Sequence, residues 1–407
     1  MSVSSEPLLR ELRVLELGHF IAAPFCTRVL ADLGADVIKV EPPGGDPVRG
    51  WGMQANGQSI WWSVHGRNKR CVTLDVRKPE GREIVLDLVK RCDVVVENFR
   101  PGQLEKWGLG PDQLAEARPG IVLVRISGYG QTGPDAHKSG FGVIGEAKGG
   151  LRYLGGYPKN VTDLPPPRAG VSLGDSVAGL YGAVGALAAV LDQRSTGAKE
   201  ARVIDVALGE AVLSLLEGAL PEYGLTGKIR EPMGSAINTA APTNAYPCKD
   251  GTWLLIAANS DPLFAALCRV MGKPELADDP RFKDNRGRVE HMAELDAIIA
   301  EWTRTLTPQE ALEQLEAANI PATKIYTIAD VASDQQFRAR HMVTTVQDPQ
   351  LGSVLHPGVV PMVQGLDRDT QIRWAGPPIG YHNREVYEQL LGYSPAKLAE
   401  LQEKGIV

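Results

Sequence analysis

The chain has 407 residues, 43% hydrophobic and 23% charged, near the globular averages of about 45–50% and 25%; this excludes a disordered polymer and leaves room for two or three domains. A net charge of −6 argues against nucleic acid as the main partner, because duplex binding rests on neutralising phosphates. Glycine (44) and proline (29) both exceed average usage of roughly 7% and 5%, without a period of three, so they signal turns and close backbone approaches rather than a fibrous repeat. In chain order, residues 13–17 (RVLEL) read as a strand, 24–33 as a helix and 36–41 (DVIKVE) as a second strand, the spacing of a βαβ unit. A helix near 81–91, a strand at 93–97 (DVVVE), a short helix near 111–118 and a strand at 121–126 (IVLVRI) follow. These strands are short Val/Ile/Leu runs without alternation, the pattern of a parallel sheet covered on both faces. A long helix at 176–193, a strand at 202–206 and an apolar helix at 208–220 complete what reads as an open, Rossmann-like α/β sheet.

The character changes after Pro221. Residues 221–250 are rich in Gly, Pro, Ser, Thr and Asn and read as a linker or active-site loop. A strand at 252–258, a helix at 261–271 and a helix at 289–305 come next. Thr307-Pro308-Gln309-Glu310 then spells a capping box, with Thr at N-cap, Pro at N1 and Glu reaching back from N3. The segment to about 330 therefore reads as a smaller, helix-rich α+β domain, followed by a Pro/Gly-rich stretch and a charged terminal helix.

Several chemistries are excluded by missing residues. The first strand leads into Leu17-Gly18-His19-Phe20-Ile21-Ala22-Ala23-Pro24, with one glycine where a dinucleotide fingerprint needs three, and no Walker A loop is present. The five cysteines (Cys26, Cys71, Cys92, Cys248, Cys268) form no CxxC pair and the seven histidines no HExxH, so reduced thiols and no metal site are expected. The opening MSVSSEPLLREL lacks the basic and apolar regions of a secretory leader. The longest weakly polar run, 177–191, has fifteen residues and falls short of the roughly 18–20 of a membrane span. A cytoplasmic protein without membrane attachment is the expectation.

Two features invite chemistry. Gly174-Asp175-Ser176 precedes the long small-residue helix, and the aspartate has two readings: a helix N-cap, or a carboxylate nucleophile placed where backbone N–H groups converge. Between residues 64 and 82, Arg67, Lys69, Arg70, Arg77, Lys78 and Arg82 outnumber Asp75 and Glu80, either as a solvated face or as a patch that draws a polyanionic ligand to an acidic protein.

Taken together, residues 15–24 (LELGHFIAAP), 33–42 (LGADVIKVEP), 68–77 (NKRCVTLDVR), 93–102 (DVVVENFRPG), 127–134 (SGYGQTGP), Gly174-Asp175, 256–260 (IAANS) and 377–382 (PPIGYH) resemble the class III CoA-transferases, the family of formyl-CoA transferase and carnitine CoA-transferase. The resemblance spans nearly the whole chain. It implies transfer of CoA from an acyl-CoA to a free carboxylic acid, with coenzyme A thioester as substrate and no tightly bound cofactor. Asp175 would attack the thioester, and a mixed anhydride and an aspartyl-CoA thioester would follow. Thioester and anhydride have similar acyl-transfer potential, so each exchange needs little driving force, and backbone donors stabilise the oxyanions between them. The family's CoA contacts fall on Phe20, Ile21 and Ala22, on Leu74, Asp75, Val76 and Arg77, and on Asn98, Phe99, Arg100 and Lys106. Lys138 is a further candidate in the more loosely matching 135–141 loop. Arg77, Arg100 and Lys106 would then neutralise phosphates and Phe99 would offer the nucleotide an aromatic surface. Gly149-Gly150, Gly155-Gly156 and Gly234 are candidates for close backbone contact.

The resemblance also implies a homodimer of interlaced subunits and two domains: residues 1–220 as a large CoA-binding α/β domain completed by 331–407, and 221–330 as the small one. Two departures narrow the activity. Racemases of the same fold carry Gly-His-Asp where this chain has Gly140-Phe141-Gly142, which disfavours an alpha-methylacyl-CoA racemase-type isomerase. The glycine repeat that closes over formyl-CoA transferase's intermediate is absent from 230–245. The Phe141-Gly142-x-x-Gly145-Glu146-Ala147 stretch looks like members acting on dicarboxylates with succinyl-CoA as donor; Arg152 and Arg168 then read either as partners for the second carboxylate or as surface charge. A non-catalytic acyl-CoA binder is the remaining alternative, disfavoured by the presence of Gly174-Asp175.

Overall fold

The computed structural model describes residues 6–407. The chain forms two compact units, one built from residues up to Arg152, Arg168–Gly227 and Gln335–Val407, the other from Tyr153–Pro167 and Lys228–Asp334. Residues 153–167, placed in the large domain by the sequence reading, cluster with the second unit.

The first unit is organised by a six-stranded parallel sheet. Its strands are β1 (Arg13–Glu16), β2 (Asp36–Glu41), β3 (Lys69–Thr73), β4 (Val94–Glu97), β5 (Val122–Ser127) and β6 (Arg202–Ala207), in the order β3-β2-β1-β4-β5-β6. This is the doubly wound order, and the chain reverses direction across the sheet between β1 and β4. Neighbouring residues on one strand face opposite cores. Leu15, Ile38, Val72, Val95 and Leu123 pack on one side with Leu88, Tyr387 and Leu401. Val14, Val37, Val94, Val122 and Val124 pack on the other with Leu30, Ala178 and Ala186. Both faces are covered, which is why the strands read as continuous apolar runs.

Strand β3 escapes the apolar-run rule because Lys69 and Arg70 open it. It is an edge strand, and the C-terminal segment covers it. Trp374 Nε1 donates to Lys69 O (3.0 Å), Asn383 Oδ1 accepts from Thr73 N (2.9 Å) and Tyr387 OH donates to Thr73 O (2.7 Å). An exposed edge is thereby blunted by side chains rather than by another strand.

Helix α1 (Ala22–Asp32) packs against α2 (Leu173–Thr196), a 24-residue helix that begins before the 176–193 predicted and ends at Gly197, φ +70°. By length and composition α2 is long and apolar enough to cross a membrane, where the fifteen-residue run had read as too short. Its Gly/Ala stripe is buried, however: a Cβ at Gly179 would lie 2.8 Å from Ala22 O, and one at Gly182 would lie 3.3 Å from Cys26 Sγ. The apolar helix expected over 208–220 is two helices, Leu208–Leu213 and Ala219–Thr226, with Glu217 in the left-handed region (φ +49°) between them. All five cysteines are buried and unpaired.

The second unit holds a three-stranded antiparallel sheet, β9-β8-β7, from β7 (Thr243–Pro247), β8 (Trp253–Ala257) and β9 (Ala322–Lys324). Strand β7 and the end of the 219–226 helix lie inside the stretch read as linker; both are short and polar enough to lack an apolar signature. The capping box at Thr307 forms as read, with both reciprocal bonds made to Glu310. Leu254, Ile256, Phe264, Leu267, Phe282, Leu295 and Leu315 form this unit's own core.

Candidate active site

In a doubly wound sheet, ligands bind beyond the carboxyl ends of the strands where the strand order reverses. Here that place is a cavity of about 250 Å3 lined by the β1–α1 turn (Phe20, Ile21, Ala22), the segment after β4 (Asn98–Pro101), the end of β5 (Ile126–Gly128), Lys138–Phe141, Asp175 and Leu208. A second cavity of about 260 Å3 is lined by Leu17, His19, Leu74, Asp75, Val76, Arg77 and Trp107, among others, and shares Phe99 with the first. Eleven of the twelve expected CoA contacts therefore line these two spaces, and Lys106 lies outside both, exposed at the end of a short helix.

The β1–α1 turn is fixed by an amide clamp. Asn98 Oδ1 accepts from His19 N (2.9 Å) while its Nδ2 donates to His19 O (2.8 Å). Gly18 is required at this approach, since a Cβ there would meet Asn98 Oδ1 at 2.5 Å and Ala23 Cβ at 2.4 Å. Phe20 is held at φ +63°, an uncommon conformation for a non-glycine residue, with its N–H on Asp46 Oδ1 (3.2 Å). Helix α1 then starts without a side-chain cap, and because Pro24 has no N–H its first turn offers only the Ala22 and Ala23 amides, with Ala22 on the cavity wall.

Below the turn lies a cluster of fully buried charges. Lys39 Nζ is 2.6 Å from Glu16 and 2.7 Å from Asp46, and donates to Gly18 O at 3.0 Å; Lys69 Nζ is 2.8 Å from Glu16 and donates to Pro24 O at 2.7 Å. Burial alone would lower the Lys39 ammonium, but Asp46, Glu16 and Glu41 together hold it well above its ordinary value. Two cations and two carboxylates thus pin both ends of the turn. Phe99 is held from its other side: its N–H donates to Glu97 Oε2 (2.6 Å), and its ring packs edge-on to His19 (5.3 Å) and Trp107 (5.0 Å). Burial pushes Glu97 up to about 7 despite its Arg125 partner.

The basic island is corrected by these contacts. Arg67 is buried on Asp32 (2.6 Å), Lys69 belongs to the cluster just described, and Arg70 reaches Asp36 (2.5 Å) and Glu385. Half of the island is internal framework rather than a ligand-facing patch. Arg77 is mostly exposed but bonded to Asp75 (2.8 Å), and Lys138 pairs with Asp135 (2.7 Å). Arg100 is exposed and lines the first cavity.

Asp175 is the third residue of α2 rather than its N-cap, which is Ser172 without a side-chain cap bond. The capping reading therefore fails: the carboxylate lines the first cavity. Burial, followed by the Glu146 carboxylate, pushes Asp175 up to about 6, and Arg168 opposes this. Glycines make the approach possible. A Cβ at Gly142 would sit 2.1 Å from Asp175 Oδ2, one at Gly174 would sit 2.7 Å from Gly142 O, and Gly128 and Gly140 would each collide with the other's Cα. The glycine pairs singled out in the sequence do other work. Gly149 and Gly150 pack against Val212 and Leu216, whereas Gly156 and Gly234 belong to the second unit. The chemistry-bearing residue that sequence reasoning left without a role is Glu146, buried on α3 (Gly142–Lys148) with Oε1 accepting from Gly174 N at 3.1 Å. A glutamate inside a glycine-rich helix is its only visible signal.

Residues 9–383 match CoA-transferase family III. Over 401 residues the chain is 47% identical to a succinyl-CoA–D-citramalate CoA-transferase of Chloroflexus aurantiacus, covering 98% of each chain. Over 403 residues it is 39% identical to the beta subunit of that organism's succinyl-CoA–L-malate CoA-transferase, again covering 98% of each. Among solved structures, a CAIB/BAIF family protein from Brucella suis superposes with a TM-score of 0.82 at 34% identity, over 95% of this chain and 100% of that one.

Proposed function

The chain belongs to CoA-transferase family III and is a CoA-transferase, and on that premise we propose that it moves CoA from succinyl-CoA to a second dicarboxylic acid with Asp175 as covalent carrier. The observation that carries this is a half-buried carboxylate, raised to about 6, on the wall of a small cavity at the switch point of the sheet. At 250 Å3 the cavity is below the roughly 300–1,000 Å3 of common ligand sites, so it takes the acyl thioester end. The second cavity, reached past Phe99, takes a more distal part of the coenzyme, with Leu74, Val76 and Trp107 as its apolar wall.

The steps balance without a redox partner. An Asp175 oxygen attacks the thioester carbonyl carbon, the C–S bond breaks, and CoA leaves as thiolate from a mixed anhydride. The thiolate attacks Asp175 Cγ, the anhydride C–O bond breaks, and the donor acid leaves as carboxylate. The acceptor carboxylate then displaces the thiolate from Cγ to form a second anhydride. Finally the thiolate attacks the acceptor's acyl carbon and returns Asp175 as the free anion. Each attack builds an oxyanion, for which we assign the Ala22 N–H, uncapped and on the cavity wall, as donor. The position that carries a histidine in racemases holds Phe141, which lines the cavity with no proton to give, so transfer is favoured over epimerisation.

The relatives named above act on succinyl-CoA with citramalate or malate, all carrying a second carboxylate. Arg168 supports the same class here: it is exposed, in the segment that leads into α2, and its charge acts on Asp175. We assign it to the far carboxylate, so Arg168→Ala should raise KM for dicarboxylates while sparing monocarboxylates. The decisive experiment incubates the enzyme with succinyl-CoA and searches the Asp175 peptide for covalent CoA by mass spectrometry. Wild type should carry the adduct. Asp175→Ala should carry none and lose up to about a million-fold in exchange; exchange within about tenfold of wild type would refute the nucleophile.

A further inference from the structure

Two carboxylates meet at the head of α2, and only one of them is consumed by the chemistry above. Glu146 is 3% exposed, and its carboxylate accepts the Gly174 amide, one residue before Asp175. The two helix starts are in backbone contact at this point: a Cβ at Gly174 would lie 2.7 Å from Gly142 O and 3.3 Å from Glu146 Cγ. A glutamine would satisfy the same amide equally well. A buried carboxylate is a costly way to accept one hydrogen bond, since burial penalises its charge, so the charge itself calls for a reason.

We propose that Glu146 is a positioning residue with two tasks: it fixes the first turn of α2 through the Gly174 amide, and it keeps a second negative charge beside Asp175 that every covalent state of Asp175 relieves. The inference rests on Asp175 being the covalent carrier. When Asp175 forms an anhydride or the CoA thioester its charge goes from −1 to zero, and the negative charge departs on the thiolate or the released acid. Repulsion from Glu146 therefore raises the free enzyme relative to both kinds of intermediate, making Asp175 a better nucleophile and its adducts more populated. The other charged groups around Asp175 are Arg168, from the segment before α2, Lys138, from the loop before α3, and Arg100, from the segment after β4. Lys138 is already paired with Asp135, and the β1–α1 turn and Leu208 contribute no charge to the cavity. Glu146 is thus the anionic neighbour, and Arg168 alone among these opposes it.

The test is Glu146→Gln, which keeps the acceptor and removes the charge, with Glu146→Asp to restore the charge. In Glu146→Gln the acid limb of kcat/KM should move down by half a unit or more from about 6, towards the ordinary Asp range. The steady-state fraction of CoA-modified Asp175 under saturating succinyl-CoA should fall about threefold, the equivalent of that half unit. Glu146→Asp should bring the limb back. A Glu146→Gln enzyme whose limb and adduct fraction match wild type would overturn the proposal. If that variant does not fold, the wild-type Asp175 carboxyl, followed by 13C NMR after aspartate labelling, decides: a single step near 4 overturns the proposal, and a raised, two-step titration supports it. A wild type that forms no adduct on Asp175 would instead refute the nucleophile and leave the titration of the pair to be read by itself.

Discussion

The first unit contains two groups of buried ionisable side chains, one beneath the β1–α1 turn and one at the head of α2, and they are built on opposite plans. Under the β1–α1 turn, Glu16, Lys39, Asp46 and Lys69 are wholly enclosed and alternate in sign, each charge facing an opposite one at 2.6–2.8 Å. At the head of α2, Glu146 and Asp175 have the same sign, and one of them opens to the cavity. The first arrangement has nothing to gain from reacting, because every charge is compensated. The second stores repulsion where a substrate can relieve it. Compensation and access, more than burial, separate framework from chemistry. A third cluster makes the point with residues that look catalytic. Ser63 Oγ lies 3.0 Å from His356 Nε2 and 2.7 Å from Asp348 Oδ2, yet all three are buried and the serine, not the histidine, sits in the middle. A nucleophile triad needs the base between the other two, so this trio is a structural joint.

The comparison can be broken at either end. Lys39→Met should have the largest effect, because it leaves Glu16 and Asp46 enclosed without their shared cation; a loss of about 3–5 kcal/mol is expected in denaturant titration. Wild-type stability in that variant would mean the cluster is hydrated rather than dry. Gly142→Ala attacks the other end. Its Cβ would fall 2.1 Å from Asp175 Oδ2, so the carboxylate must move, and about a hundredfold in kcat is expected to go with little change in melting temperature. Ser63→Ala should cost roughly 1–3 kcal/mol by stranding buried partners, with kcat unchanged. A fall in kcat would move that trio from framework to function.

How much of this was legible follows from the same contrast. The parallel strands were readable because a doubly covered strand is an unbroken apolar run; β2 was bounded at 36–41 from sequence and occupies Asp36–Glu41. β3 was not, because Lys69 and Arg70 interrupt its run, and the partners that make those charges acceptable, Glu16 and Asp36, lie more than thirty residues away in the chain. The basic island failed for that reason: local sequence counts charges without seeing which are already neutralised. Asp175 stood out through family resemblance, whereas its spacing by itself favoured a cap. Glu146 reaches Gly174 across 28 residues of chain, and no local pattern encodes that approach.

The smallest expected effect tests the stored repulsion without any substrate. Asp175 is raised to about 6 in the folded protein from an ordinary value of 3.8, so the native state holds that proton more tightly than the unfolded chain does. The native state is thus favoured by this group below about 4, and the advantage is lost as pH rises to about 6; above that, ionised Asp175 opposes folding. The full shift would be worth roughly 3 kcal/mol, and partial solvent access reduces it to about 1 kcal/mol. Asp175→Asn removes the charge and keeps the shape. It should therefore melt about 1–2 °C higher than wild type at pH 8 and converge with it near pH 4, while losing transferase activity. A variant that is inactive and no more stable at pH 8 would show that Arg168 and solvent have cancelled the repulsion, leaving Asp175 a nucleophile by position alone.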